Sequence, residues 1–444
     1  MKKTWLNSIL FTGALLSTTN NYAQQKNAFS IQQCVAYADK NAVQVRNALL
    51  DIDIQRQQNR QVTAAAFPQI NSTLNLNDYL DIPTSLIPGD FFGQPSGTFK
   101  ALKFGTKYNA TAGIEANQLL FDGQVFVGLI ARKVVIDYQT KVAEVTREQI
   151  KANVYKIYYQ LVIGQKQLSS LDANITRFEK LLNDTKEIFK NGFAEKLDVD
   201  KVNVQLNNIR TEKVKVENSI AAGNAGLKFL MNMPQRDELV LTDTLSESEL
   251  KSGILDEAYD YKSRAEMKVL TIGEKLGGFN VRRYQLSKIP TLAAFANYNK
   301  NAQRTNFNFF NKGEWYTTSL IGLKIAIPIF DGNARNAHIQ EAKDNLQKTR
   351  NTMEQMRANI DYEVQQSRIN IRNALLTLDN QKKNIELAEK VYNTTKKKYE
   401  QGLGNNQEIY FAETELKVAQ TNYYSSLYDA INARIDYLKA IGKL

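Results

Sequence analysis

The chain has one cysteine and one histidine in 444 residues. Cys34 alone excludes an intrachain disulfide framework, and its expected place is that of a small residue on an apolar helix face. His338 alone excludes a multi-histidine metal site within the chain and leaves a His-based triad at most one origin. It stands in Asn336-Ala337-His338, in the first turns of a polar helix, and is expected to face solvent. After the N-terminal segment no apolar run reaches the length of about 18 residues that a transmembrane helix needs, so a membrane crossing would have to be made by strands. No Gly-x-x-x-x-Gly-Lys-Ser/Thr phosphate loop is present, so the protein is not expected to power transport itself. Acid pairs such as Asp51 and Asp53 are two apart on a helix and do not face each other. No enzyme, no cofactor and no metal site is expected.

The formal charge of +11 raises the question of nucleic acid. Lysines and arginines are scattered along helical stretches with acids between them, which reads as a solvated helix surface and no nucleic-acid partner. Met1 to Ala23 has Lys2 and Lys3, an apolar stretch from Trp5 to Leu16 and a polar end, the layout of a secretory signal.

Two long helical hairpins dominate the rest of the chain. Leu168, Leu171, Ile175, Phe178, Leu182, Thr185 and Phe189 alternate three and four apart, a seam of 3.5-residue period. After Gly192 the seam resumes at Val199, Val202, Leu206, Ile209, Lys213, Val216 and Ile220. Two seams joined by a short glycine turn predict an antiparallel hairpin. The helix leading into it, Gln124 to Lys190, would span about 100 Å at 1.5 Å per residue. Shifting every position by 210 gives a second copy, from Leu378 to Tyr399, then Gly402, then Ile409 to Ala430. An acid stands six residues past each turn glycine, Asp198 and Glu408. The chain is an internal duplication of one long unit.

Each half reads helix, strand hairpin, long helix, turn, helix. A helix expected over Phe29 to Ala66 ends at Phe67-Pro68, because proline disfavours helix in the residue before it. The period then changes to two. Ile70, Ser72, Leu74 and Leu76 alternate with Asn71, Thr73, Asn75 and Asn77, and Tyr108 to Asn117 alternates likewise, with a loop rich in Pro and Gly expected over Asp81 to Lys107. Phe121-Asp122-Gly123 launches the first long helix. In the second half Ile289-Pro290, strands near Leu292 to Asn299 and Thr318 to Ile327, and Phe330-Asp331-Gly332 play the same parts. The expected boundaries are 1–23 for the signal, 24–232 for the first repeat, 233–253 for a polar linker and 254–444 for the second repeat, which opens with a helix near Asp256.

Four strands cannot close a barrel, and an open edge cannot face lipid. Two copies would give eight strands with a filled interior; three would give twelve, wide enough for a lumen. Three is the favoured number. The polar faces would then line water, and the helices of every copy would leave from one rim. A soluble sheet capping a coiled coil accounts for the same alternation, as a secreted scaffold without a pore.

With these features the chain resembles the TolC-like outer-membrane efflux proteins. The resemblance rests on the two Phe-Asp-Gly junctions, the two Pro junctions, the duplicated order and the glycine turns, and it covers essentially the whole mature chain. It implies a mainly α fold with a small β part: duplicated long helical hairpins forming a periplasmic α-barrel, and four strands per chain in a trimeric twelve-stranded outer-membrane β-barrel. It implies a homotrimer in outer-membrane lipid, an exit duct for drugs or exported proteins. An inner-membrane pump of RND or ABC type would deliver them through a periplasmic adaptor. By the same resemblance Gly192, Phe193, Ala194, Gly402, Leu403 and Gly404 would form adaptor-docking tips. Asp198 and Glu408 would lie near a closing mouth, where rings of carboxylates favour cations, or would act as helix N-terminal acids. Better-known relatives have a second acid one turn after the Glu408 position. This chain has Phe411 there, so a hydrophobic constriction competes with an acidic gate.

Overall fold

The computed structural model describes residues 26–243, 250, 258–311 and 313–444. The expected signal segment, much of the expected linker and the helix expected near Asp256 lie outside them. The described elements run β1 (Lys26–Phe29), α1 (Ile31–Asn41), α2 (Val43–Ala64), β2 (Gln69–Asp78), β3 (Thr84–Pro88), β4 (Phe99–Lys103), β5 (Tyr108–Phe121), α3 (Gly123–Lys190), α4 (Lys196–Met231) and β6 (Glu238–Leu241). They continue with α5 (Ala265–Leu286), β7 (Thr291–Arg304), β8 (Tyr316–Ala326), α6 (Ala334–Glu400) and α7 (Asn406–Ala440). The chain is mainly helical with a small strand content, as read from the sequence. No described helix is long and apolar enough to cross a membrane.

These elements gather into two contact units, and both draw on both halves of the chain. One comprises 1–42, 154–247 and 381–428; the other comprises 43–153, 248–380 and 429–444.

The second unit holds a four-stranded sheet in the order β2-β5-β7-β8, antiparallel throughout. Register sorts its side chains. Ile70, Ala116, Ala296 and Ile321 stand in line on one face, and Asn71, Glu115 and Asn297 on the other. On the polar face the Thr111 hydroxyl donates to Asn301 Oδ1 at 2.9 Å. On the apolar face Ile70, Leu74, Ile321 and Leu323 are all exposed. Among the described residues β2 and β8 each pair on one side only, so both sheet edges are open. A bulge between Leu119 and Phe121 shifts the β5–β7 ladder before its last pair, Phe121 with Leu292, just before the chain enters α3.

Three sequence expectations are corrected. Phe29 lies in a strand, and the first helix is two helices, because Ala42 takes extended dihedrals (φ −56°, ψ 131°). The loop over Asp81 to Lys107 contains its own hairpin, β3 and β4, with Pro88 opposite Phe99 where proline's missing N–H is harmless at a strand end. The polar linker opens with β6, which pairs in parallel with β1. That pairing is sealed by Tyr158, whose hydroxyl donates to Phe29 O at 3.2 Å and accepts from Asp243 N–H at 3.1 Å. Cys34 is fully buried on α1, and burial pushes its thiol up to about 12. His338 is exposed and stacks on Tyr284 at 5.3 Å between ring centroids.

Candidate gate and docking tips

The first unit contains both hairpin turns, and the two seams read from the sequence form one apolar cluster within it. Leu171, Phe178, Val202, Leu206, Ile209, Ile409, Ala412 and Leu416 are buried together. Ile175, Leu182, Ile385 and Tyr399 pack on its margin.

Both turns are built by the same hydrogen bonds. Gly192 N–H donates to Phe189 O at 3.0 Å and Phe193 N–H to Ile188 O at 3.0 Å; Gly402 N–H donates to Tyr399 O at 3.0 Å and Leu403 N–H to Lys398 O at 2.9 Å. Each is a Schellman cap, which satisfies the last helix carbonyls and places its C′ residue in the left-handed region. Gly192 has φ +79° and Gly402 φ +72°, which is why glycine stands there. The caps leave the next apolar side chain in the open: Phe193 is 86% exposed and Leu403 77%. Ala194 and Gly404 are half-buried beside them.

The two acids differ. Asp198 accepts the Glu195 N–H at 3.2 Å, closing the first turn of α4. Glu408 occupies the equivalent place in α7, but there Asn405 makes the cap, its Oδ1 accepting Glu408 N–H at 2.8 Å, and the Glu408 side chain is exposed. A cleft of about 210 Å³ between α4 and α7 is lined by Asp198, Lys201, Val202, Asn406, Tyr410 and Phe411. The structure thus brings Asp198 and Phe411 to one cleft whose lining does not include Glu408. Phe411 remains 55% exposed, with its ring 5.7 Å from Tyr410.

The strand–helix junctions belong to the other unit. Asp122 caps α3, its Oδ1 accepting Gln124 N–H at 2.7 Å. Asp331 accepts Arg335 N–H at 3.1 Å and pairs with the Arg335 guanidinium at 2.8 Å. The two glycines serve different ends. Gly123 is buried, and a Cβ there would lie 2.7 Å from Leu286 Cβ, whereas Gly332 is exposed with φ +64°. Phe67 and Pro68 sit exposed between α2 and β2, and half-buried Ile289 precedes exposed Pro290 at the start of β7.

Sequence reasoning missed the polar ties of the first unit. Asn174 Nδ2 and Ser170 Oγ both donate to Gln420 Oε1, at 2.9 and 2.8 Å, and buried Thr185 donates to Asn406 Oδ1 at 2.8 Å. Glu413 is 4% exposed on α7, four residues after Ile409 and three before Leu416. That helical spacing was the available signal, because it puts a carboxyl on the buried stripe.

Residues 280–443 match the family model described as outer membrane efflux protein. The chain is 21% identical over 339 residues to the outer membrane protein TolC of Vibrio cholerae, covering 75% of this chain and 77% of that protein. It is 19% identical over 207 residues to the proteases secretion protein PrtF of Dickeya chrysanthemi; that match spans 46% of this chain and 44% of PrtF, under half of its length. The solved structure of CusC, described as forming a transmembrane channel, superposes with a TM-score of 0.75 at 16% identity, over 93% of this chain and 91% of CusC. Over residues 280–443 the chain is thus similar in sequence to the outer membrane efflux proteins, and over 93% of its length it shares the fold of the solved CusC channel.

Proposed function

We propose that the chain is a passive exit duct: a homotrimer whose twelve strands close a barrel in outer-membrane lipid. In this reading its hairpins receive small molecules from an inner-membrane pump through a periplasmic adaptor. The observation behind this reading is the four-stranded sheet with two open edges, one apolar exposed face and one polar face. Unpaired edges are costly in lipid, and identical copies remove them by pairing β8 of one with β2 of the next. Residues 24–232 and 254–444, joined by 233–253, are then two repeats supplying two strands each.

In the same reading the exposed Phe193 and Leu403 present apolar tips to the adaptor. Asp198 and Phe411 flank the narrowing mouth, with Glu408 contributing charge to its solvent side. No enzymatic activity is assigned to the chain. Light scattering in detergent tests the proposal first. A protein mass of three chains, extracted from the outer-membrane fraction only with detergent, supports it; a monomer released by buffer overturns it. Gly402→Trp then tests the tips: export should be lost while trimers persist, and undiminished export removes the docking role.

A second reading, a duct for type I protein secretion, is favoured by the similarity to a protease secretion protein. Export of a protein cargo by cells containing the chain with its own pump and adaptor, and no change in drug susceptibility when the chain is deleted, would choose it.

A further inference from the structure

We propose that Glu413 is a proton-controlled latch of the seam where α7 packs on α3 and α6: protonated it lets the seam close, and ionised it loosens α7.

Glu413 is 4% exposed, and its Oε2 is buried without a hydrogen-bond partner. Around it lies a cleft of about 240 Å³ that also contains the buried, unpartnered hydroxyl of Tyr399. Buried polar atoms without partners are rare, and a carboxylate left in this state is far costlier than a carboxylic acid.

The charged groups that face Glu413 are engaged elsewhere. On α3, Arg177 donates to Asn174 and lies 5.4 Å over the Tyr392 ring. Lys180 of α3 and Lys396 of α6 both reach Glu400, at 3.6 and 4.0 Å. Asp184 of α3 adds a further negative charge to the cleft lining. From α4 the cluster receives apolar Val202, Leu206 and Ile209, while Glu212 is held by Lys417 of α7 at 2.6 Å. Burial therefore dominates and raises the Glu413 carboxyl to about 7, against the lowering pull of Arg177, Tyr392 and Lys396.

The sign follows from linkage. The closed seam binds a proton that the open, hydrated seam releases at the ordinary carboxylate value. Closure is strongest below about pH 4.5 and is lost progressively as pH rises to about 7, levelling off above it. Between pH 6 and pH 8 the opening equilibrium should rise about tenfold.

Three ties between α3 and α7 near this seam, from Ser170 and Asn174 to Gln420 and from Thr185 to Asn406, join groups that carry no charge. They hold register while Glu413 sets the strength of the contact.

Hydrogen–deuterium exchange on the full chain in detergent, at pH 6 and pH 8 and corrected for intrinsic exchange, tests this without any transport assay. Peptides from 406–420 should lose protection about tenfold at pH 8 in the wild type. Glu413→Gln should abolish the difference and stay protected at both values. Arg177→Gln should shift the transition to higher pH, because it removes a cation that favours the ionised form. A wild type with equal protection at both pH values overturns the latch, as does a Glu413→Gln protein that keeps the wild-type pH dependence.

Discussion

Among the described residues each of the two units buries one carboxyl or cationic side chain, and the two are handled in opposite ways. In the unit containing the sheet, Arg264 is almost fully buried and fully satisfied. Its guanidinium donates to Glu363 at 2.7 Å, to Glu266 at 3.1 and 3.3 Å, and to the Ala440 carbonyl at 3.1 Å. Burial acts to raise the Glu266 carboxyl, but the Arg264 hydrogen bonds and charge outweigh it and hold the group below its usual value. In the unit containing the hairpin turns, Glu413 is equally buried and has an oxygen with nothing to accept from. A satisfied buried ion rigidifies its surroundings, whereas a half-satisfied one makes its surroundings sensitive to protons. The unit that holds the candidate mouth is the one left adjustable.

Substitutions can separate the two cases. Arg264→Met should have the largest effect, a loss of about 3 kcal/mol in denaturant titrations, because it removes the buried cation that holds the partly exposed Glu266 and Glu363 and leaves the Ala440 carbonyl without that donor. A loss of well under 1 kcal/mol would mean the arginine is only tolerated there. Next comes Gly123→Ala, whose added Cβ would meet Leu286 Cβ at 2.7 Å and its carbonyl at 2.9 Å. Overpacking of this kind costs about 1–3 kcal/mol. Its counterpart Gly332→Ala meets nothing within 4 Å and bears only the left-handed backbone at φ +64°, about 1 kcal/mol. Equal losses in thermal unfolding would show that the two Phe-Asp-Gly junctions use their glycines alike. Asn405→Ala should cost about 1 kcal/mol by removing the α7 cap, seen as faster exchange in the first turn of that helix. The smallest effect belongs to exposed Glu408: Glu408→Ala should leave stability unchanged and lower cation preference in bilayer conductance, and unaltered selectivity removes it from the mouth.

The duplicated plan was legible because it is written in local terms. The 3.5-residue seams return as the buried Leu171–Phe178 and Ile409–Leu416 stripes, and the period-two runs return as β2, β5, β7 and β8. The turn glycines stand where positive φ is required. Elements that depend on distant partners were not legible. β1 and β6 are four residues each and exist through pairing across about 210 positions, so neither carries a periodic signal of its own. The break at Ala42 has no proline or glycine to mark it. The β3–β4 hairpin hides among prolines and glycines that read as loop.

The candidate mouth divides in the same manner. Asp198 and Glu408 stand at matching sequence positions, and repeat symmetry assigns them equal roles. Folding makes Asp198 the acid of a capping box beside Phe411 and leaves Glu408 outside that cleft, since Asn405 supplies the cap that frees it. Glu413 shows only as an acid between apolar neighbours.

The amino-acid sequence by itself determined the long helices, the four strands of the larger sheet and their faces, the turn glycines and the twofold repetition, because periodicity and backbone preference act over a few residues. Tertiary structure alone decided which of the two acids lines a cleft, why Gly123 and Gly332 are both glycine for different reasons, and that one carboxyl oxygen is buried without a hydrogen-bond partner. Those outcomes depend on what chain segments separated by hundreds of residues bring to the same place, and on how much water they leave there.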